Sequence, residues 1–233
     1  MEKPDLSTQR LIIRRFTLDD AEEMFDLARD PMVGRMAGWP PHVTIDDSID
    51  FIEKGMDRED LYGLFSRTTG RMIGCIELFR EPNILRKGPK DAEIGYWIGS
   101  RYWNQGYATE ALGRLLEYAV ATGVPKVWAQ CLTNNPASAR VLIKCGFKLD
   151  HRSISENPML GEVIVDFYSL SLRRRARRCP VLFEQERHVI RQRDLTVNVP
   201  DVILAELYAL IHSEYIRSGQ YVGCRFRLAL GLR

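Results

Sequence analysis

Residues 97–111 read Trp-Ile-Gly-Ser-Arg-Tyr-Trp-Asn-Gln-Gly-Tyr-Ala-Thr-Glu-Ala, and this stretch decides the fold. The residues before it predict a strand over 92–98, and the apolar spacing after Gly106 predicts a helix over 107–121 that ends at Gly123. The first N–H groups of a helix lack a partner within it, and with the helix dipole they form a site for pyrophosphate. Taken alone, the glycine equally fits an ordinary capped turn.

A second stretch, residues 135–147, reads Asn-Pro-Ala-Ser-Ala-Arg-Val-Leu-Ile-Lys-Cys-Gly-Phe. It follows a predicted strand over 126–132 and predicts a short helix, with Asn135 as the N-terminal cap and Gly146 as the C-terminal cap. Capping is a sufficient structural role for both residues. This stretch by itself therefore assigns no function.

Strands and helices alternate around these two stretches. Further strands are predicted at 9–16, 62–67, 72–79, 147–153 and 163–172. Further helices are predicted from the cap at Thr17 to Asp30 and over 44–56, with a proline- and glycine-containing loop over 34–43 between them. The order β-α-α-β-β-β-α-β-α-β-β predicts an α+β, layered α/β domain.

Composition places the chain among ordinary globular proteins. With 233 residues, 45% hydrophobic and 27% charged, it can bury a core and is not a disordered chain. No apolar run is long enough for a membrane span, and the polar N-terminus lacks the core of a secretion signal. The five cysteines lack CxxC spacing. We therefore expect neither a disulfide framework nor a metal site. We expect a cytoplasmic location.

The charge changes near residue 172. Residues 173–233 carry 12 Lys and Arg against 6 Asp and Glu, whereas the rest of the chain is slightly acidic. We therefore divide the chain into a domain over 1–172 and a basic linker with a C-terminal extension over 173–233. The extension is left open between a solvated linker, a cover for the sheet and a homodimer contact. The arginine run at 173–178 suits phosphates, but no nucleic-acid motif accompanies it, and nucleic acid is not an expected partner.

The two stretches carry a family resemblance. Residues 105–111 resemble the acetyl-CoA pyrophosphate loop of the GNAT acetyltransferases, and residues 135–147 resemble the second conserved block of that family. Residues 92–98 look like the strand before the loop. The resemblance implies a GNAT-like mixed, mostly antiparallel sheet flanked by helices. It also implies transfer of an acetyl group from acetyl-CoA to a primary amine.

The beginning of the chain resembles one branch of this family. Residues 6–16, with Asp30-Pro31 and Trp39, are similar to the branch that contains the ribosomal-protein N-terminal acetyltransferases. The four blocks occur in the family's order, and the resemblance covers residues 5–172. The acceptor is left open between a protein N-terminus, an aminoglycoside, a polyamine and an amino acid. No membrane partner is expected.

The resemblance assigns residues to the cofactor. The pyrophosphate would lie against the backbone of five consecutive residues, Gln105, Gly106, Tyr107, Ala108 and Thr109. Trp97 and Ile98 would offer backbone groups to the pantetheine arm, and Asn135 would contact the same arm. Trp103 stands where the family has Gln or Arg, and because the contacts are mostly from the backbone, we expect binding to survive.

The catalytic residues follow from the same comparison and from amine chemistry. Leu142 replaces the tyrosine that many family members use as general acid, so Ser138 is expected to lie near the thioester and hydrogen-bond the departing thiolate. An amine must lose a proton to attack, and a carboxylate can accept it. Glu93 is the preferred base and Glu77 the alternative. Glu110, in the first helical turn, is expected to complement the helix dipole.

Two residues are predicted on the acceptor side. Trp39 would wall the pocket or only pack, and His42 would contact substrate, act as a base or remain a solvated loop histidine. The missing tyrosine motivates an alternative function, a non-catalytic regulatory protein that binds acyl-CoA.

Overall fold

The computed structural model describes residues 6–80 and 88–172, so the extension predicted over 173–233 lies outside the described residues. A seven-stranded sheet has the order β1-β2-β3-β4-β5-β7-β6. Its strands are β1 Leu11–Arg14, β2 Leu61–Ser66, β3 Met72–Phe79, β4 Ala92–Ile98, β5 Lys126–Leu132, β6 Lys148–Asn157 and β7 Gly161–Ser171. All neighbouring strands are antiparallel except β4 and β5. The mixed, mostly antiparallel sheet is confirmed.

Helices cover both faces of the sheet. They are α1 Ala21–Ala28, α2 Pro31–Ala37, α3 Ile45–Met56, α4 Tyr107–Ala121 and α5 Pro136–Lys144, with two short 3-10 turns at Leu18–Asp20 and Ser100–Tyr102. One buried cluster includes Leu112, Leu115 and Leu116 of α4, and a second contains Met24 of α1 and Ile52 of α3. Burying each such side chain contributes about 1.5–3 kcal/mol.

The loop predicted over 34–43 is wrong in its first part, because α2 runs over Pro31–Ala37. The Asp30 carboxylate accepts a hydrogen bond from the Met32 N–H at 2.9 Å, and the proline between them occupies the first helical position. The dipeptide that ends α1 therefore also begins a second helix. Gly38 closes α2 with a φ of 80°.

Two strand ends also differ from the prediction. β1 has only four residues, and β6 extends to Asn157, where it turns into β7. The predicted cap at Thr17 is present, since its N–H donates to the Asp20 carboxylate at 2.8 Å. That cap begins a 3-10 turn, which leads directly into α1.

Strands β4 and β5 pair only where they begin. The ladder between them consists of two residue pairs, Ala92 with Val127 and Glu93 with Trp128. Beyond these pairs β4 stays paired with β3 as far as Ile98, and β5 stays paired with β7 along its whole length. The two parallel strands therefore separate and leave an open gap in the middle of the sheet.

Candidate active site

The gap opens into a cleft of about 1190 Å³. Its walls are β4, β5, the N-termini of α4 and α5, and the segment that joins α2 to α3. Small-molecule sites typically measure about 300–1,000 Å³, so this cleft is large enough to be a substrate site. Every predicted site residue except Gln105 lines it.

The N-terminus of α4 presents backbone donors to the cleft. Gly106 caps the helix with a φ of 83°, a left-handed conformation that favours glycine. The helical hydrogen bonds begin with Glu110 N–H to the Gly106 carbonyl at 3.1 Å. The N–H groups of Tyr107, Ala108 and Thr109 therefore have no partner within the helix and suit an anion.

Trp103 has a structural role in the turn before α4. Its indole Nε1 donates to the Ile98 carbonyl at 2.6 Å and closes the turn between β4 and α4. This bond uses one of the two lone pairs of that carbonyl. The neighbouring Asn104 is left-handed, with a φ of 60°, a conformation that asparagine tolerates better than most residues.

Glu110 anchors the N-terminal segment to the turn. Its carboxylate accepts hydrogen bonds from the Arg10 N–H at 3.0 Å, from Arg10 Nε at 2.6 Å and from the Thr8 hydroxyl. Arg10 also donates to the Gln105 carbonyl at 3.0 Å, and its guanidinium lies 4.6 Å from the Tyr107 ring centroid. Burial raises the pKa of Glu110, but these hydrogen bonds outweigh it and the pKa is lowered. Its role thus extends beyond the expected complement to the dipole.

The N-terminus of α5 borders the same cleft. Asn135 Oδ1 accepts from the Ser138 N–H at 3.1 Å, and Asn135 Nδ2 donates to the Met36 carbonyl at 3.0 Å. Asn135 therefore caps α5 and ties it to α2. The Ser138 hydroxyl lies 3.0 Å from the Tyr96 hydroxyl. Leu142, one turn further on, is fully buried in the core.

Successive side chains of β4 point to opposite faces of the sheet. Ile94 and Tyr96 pack in the cluster beneath α4, whereas Trp97 packs in the cluster of α1 and α3. The alternation places Glu93 on the Trp97 face. We propose below that the cofactor binds on the Tyr96 side of β4 and the acceptor on its Trp97 side, and we call these sides the cofactor face and the acceptor face.

Two carboxylates belong to the acceptor face. Glu93 is half-buried and lines the cleft where β4 and β5 separate. Glu77, on β3, is buried, and its Oε2 accepts a hydrogen bond from Arg58 Nη1 at 3.0 Å. Burial raises the pKa of Glu77, although the Arg58 guanidinium acts in the opposite direction. Both predicted base candidates therefore reach one cleft, in different environments.

Aromatic rings form the outer wall of the acceptor face. The Trp39 ring centroid lies 5.8 Å from that of Trp97 and 5.6 Å from that of His42. The His42 ring lies 6.3 Å from Phe51 of α3. Trp39 and His42, predicted from the sequence, are thus brought beside Trp97, which was predicted only for its backbone.

His42 is a half-buried side chain and not a solvated loop histidine. Its Nδ1 lies 2.7 Å from the hydroxyl of the fully buried Ser48. Burial lowers the pKa of His42, and Asp47 only partly offsets this. The imidazole is therefore mainly neutral at pH 7.

Tyr96, which lines the cleft, and Arg10, which contacts Gln105 and Tyr107, were not among the residues predicted from the sequence. The two-residue period of β4 would have placed Tyr96 opposite Glu93, but nothing local indicates its partner on α5. Arg10 is bonded to Glu110, 100 positions along the chain. Among residues 6–80 and 88–172, no group of three or more His, Cys, Asp or Glu side chains could hold a metal ion. No helix in that part of the chain is long and apolar enough to cross a membrane.

Comparison with known proteins agrees with this geometry. Residues 10–148 match the acetyltransferase (GNAT) domain family. The chain is 32% identical over 151 residues to the uncharacterized N-acetyltransferase YoaA of Bacillus subtilis, which covers 62% of this chain and 83% of that protein. It is 31% identical over 80 residues to the ribosomal-protein-serine acetyltransferase of Escherichia coli, covering 34% of this chain and 42% of that one.

Solved structures show the same fold. A GNAT-family acetyltransferase from Bacillus anthracis superimposes with a TM-score of 0.64 at 22% identity, covering 72% of this chain and 98% of that one. The family match spans more than half of the chain, and it includes both the gap between β4 and β5 and the N-terminus of α4. The chain therefore belongs to the GNAT family and is an acetyl-CoA-dependent N-acetyltransferase.

Proposed function

We propose that the chain transfers the acetyl group of acetyl-CoA to a primary amine, by direct attack of the amine on the thioester. The gap between β4 and β5 carries the proposal. Along it, the inner edges of the two described strands have no strand partner, so their backbone groups can bind an extended chain with amide groups, such as pantetheine.

The cofactor face holds the acyl donor. The pyrophosphate lies at the N-terminus of α4, against the backbone from Gln105 to Thr109. Trp97 and Ile98 present backbone groups to the pantetheine arm. Asn135 contacts the same arm through the second hydrogen of its Nδ2, because the Met36 carbonyl takes only one of the two. Acetyl-CoA supplies an activated acetyl group at the far end of this arm.

Glu93 is the proposed general base. It belongs to the last residue pair of the β4–β5 ladder, so it lies where the gap begins and on the acceptor face. From there its carboxylate accepts the amine proton directly or through one water. Glu77 is the alternative base: its raised pKa favours that role, and its ion pair with Arg58 opposes it. Backbone N–H groups at the strand ends stabilise the oxyanion.

The acceptor is a cationic amine before it loses its proton. Trp39 and Trp97 offer ring faces for a cation–π contact, and Asp47 and Asp50 line the cleft, where Asp50 pairs with Lys54. The E. coli relative is named for a ribosomal-protein acceptor. Protein N-termini therefore belong in the screen with polyamines, aminoglycosides and amino acids.

Calorimetric titration with acetyl-CoA tests the donor site. We expect a micromolar Kd for the parent and a Kd roughly 100-fold weaker for Gly106→Glu, which puts a carboxylate against the pyrophosphate. Gly113→Glu is the matched control, because a side chain there meets open space on the same helix. Thermal melting checks that each variant is folded. A parent that does not bind acetyl-CoA would refute the proposed function.

An amine screen then tests turnover by release of the CoA thiol. Transfer to any primary amine supports the enzyme. Tight binding of acetyl-CoA without transfer to any amine in the screen would instead favour the non-catalytic regulatory protein.

A further inference from the structure

A tyrosine hydroxyl reaches the Ser138 end of the cleft from an unexpected element. Tyr96, on β4, places its hydroxyl 3.0 Å from Ser138 Oγ and 3.3 Å from the Ser138 carbonyl oxygen. The two residues are 42 positions apart and meet because α5 lies over the cofactor face of β4. Leu142, which stands where many family members have a tyrosine, is buried in the core.

Cys131, on β5, lines the same cleft as Ser138. Burial raises the pKa of the Cys131 thiol to about 11, even though a hydrogen bond from Ser138 lowers it. The Ser138 hydroxyl thus interacts with both the Tyr96 hydroxyl and the Cys131 thiol. All three residues line the cleft, and their elements β4, β5 and α5 border the gap.

We propose that Tyr96 is a positioning residue that holds the Ser138 hydroxyl with its hydrogen directed at the sulfur of bound CoA. The inference rests on the proposed function, which places that sulfur at the end of the gap. A serine hydroxyl has one hydrogen and two lone pairs. When Tyr96 donates to one lone pair, the single Ser138 hydrogen stays free of Tyr96 and can turn from the Cys131 thiol to the sulfur of CoA.

Acetyl transfer requires no proton from the hydroxyl of Tyr96 or of Ser138. The amine forms the new C–N bond, and its proton goes to the general base. The C–S bond breaks with its electron pair on sulfur, and the hydrogen bond from Ser138 stabilises the thiolate, which takes a proton from solvent after release.

Tyr96 is suited to donate a hydrogen bond and not to lose its proton. Burial raises the pKa of Tyr96, the bond with Ser138 lowers it, and the thiols of Cys131 and Cys145 raise it again, with a net increase. The phenol therefore stays protonated across the range in which the enzyme works. This distinguishes Tyr96 from a tyrosine that acts as general acid.

The test measures the thiol pKa of bound CoA by the ultraviolet absorbance of its thiolate, with the desulfo-CoA complex as blank. The variants are Tyr96→Phe, Ser138→Ala and both together. Tyr62→Phe is the control, because it also removes a hydroxyl that is hydrogen-bonded in the core, to Asp60, but does not line the cleft. We expect the parent to lower the thiol pKa relative to free CoA. Tyr96→Phe and Ser138→Ala should each raise it, the double variant should match Ser138→Ala, and Tyr62→Phe should match the parent.

Kinetics on an accepted amine give a second readout. We expect Tyr96→Phe to lower kcat about tenfold, with the Kd for acetyl-CoA unchanged. An unchanged thiol pKa in Tyr96→Phe, or effects of the two substitutions that add, would overturn the proposal. A parent that binds CoA and lowers its thiol pKa but transfers no acetyl group refutes the proposed function alone. A parent that does not bind CoA refutes both.

Discussion

The two faces of strand β4 hold their side chains by different means. On the cofactor face, Ser138 is fixed by the Asn135 cap and by the hydroxyl of Tyr96. On the acceptor face, Trp39 and Trp97 are fixed by packing between rings. Caps are specified by a few adjacent residues, whereas ring packing is specified by several distant segments. The comparison teaches that the helix cap on the cofactor face is specified locally, whereas the ring wall of the acceptor face depends on how distant segments pack.

The largest expected effect lies on the acceptor face, at Glu93. We expect Glu93→Gln to lower kcat by roughly 100-fold or more, because the amide cannot accept the amine proton. The Kd for acetyl-CoA should not change, because the cofactor face is untouched. Steady-state kinetics with calorimetry measure the two quantities.

Glu117→Gln serves as the control, since this exposed carboxylate on α4 lies outside the cleft. A full loss of kcat in Glu77→Gln, with little change in Glu93→Gln, would identify Glu77 on β3 as the general base. The base would still lie on the acceptor face.

A smaller effect is expected on the donor side, at Glu110. Glu110→Gln removes the charge that holds Arg10 against the turn, and we expect the Kd for acetyl-CoA to rise about tenfold with kcat unchanged. Because the folded pKa of Glu110 is lowered, its contribution to stability is present above pH 4.5 and is lost as pH falls through the folded pKa. The difference in free energy of unfolding between parent and variant should therefore vanish in acid. A kcat defect at unchanged Kd would contradict this role.

On the acceptor wall, we expect Trp39→Leu to raise the KM for the amine about fivefold, through loss of a cation–π contact of about 1 kcal/mol. The Kd for acetyl-CoA should stay constant. Phe25→Leu is the control, because Phe25 lies on α1 outside the cleft. A weaker affinity for acetyl-CoA in Trp39→Leu, with the amine KM unchanged, would show that the two faces are not separable.

The smallest effect concerns stability and His42. Its folded pKa lies below the ordinary value of 6.5, so below that pH the unfolded chain binds a proton that the folded chain resists. The free energy of unfolding of the parent should fall as pH drops from 7 to 5. The free energy of unfolding of the His42→Gln variant should fall less over the same range. Denaturant unfolding at both pH values measures this. Parallel pH curves for parent and variant would show that the ring titrates as it does in the unfolded chain.

The starts of the two helices that border the cleft could be predicted from the sequence because their signals are local. Gly106 at the start of α4 and Asn135 at the start of α5 are caps, and a cap is recognisable from its neighbours. The helix α2 was missed although its signal was local too, since Asp30-Pro31 can both end one helix and begin the next.

The contacts that complete the site could not be predicted in this way. Arg10 with Glu110 and Tyr96 with Ser138 join elements far apart in sequence, and their meeting depends on the register and twist of the sheet. The burial of His42 depends on Ser48 and on rings from three segments. Such environments arise only when the chain is packed, so residues that are close in the sequence do not indicate them.

The gap between β4 and β5 has a consequence for the lifetime of the protein. It leaves two strand edges inside the sheet, and open edges are sites where other chains can add. A ligand that binds only the folded chain stabilises it, by about 2.7 kcal/mol at a concentration 100 times its Kd. Bound acetyl-CoA would thus occupy the place of a strand between β4 and β5. Resistance of the protein to aggregation and proteolysis would then increase with the concentration of acyl-CoA.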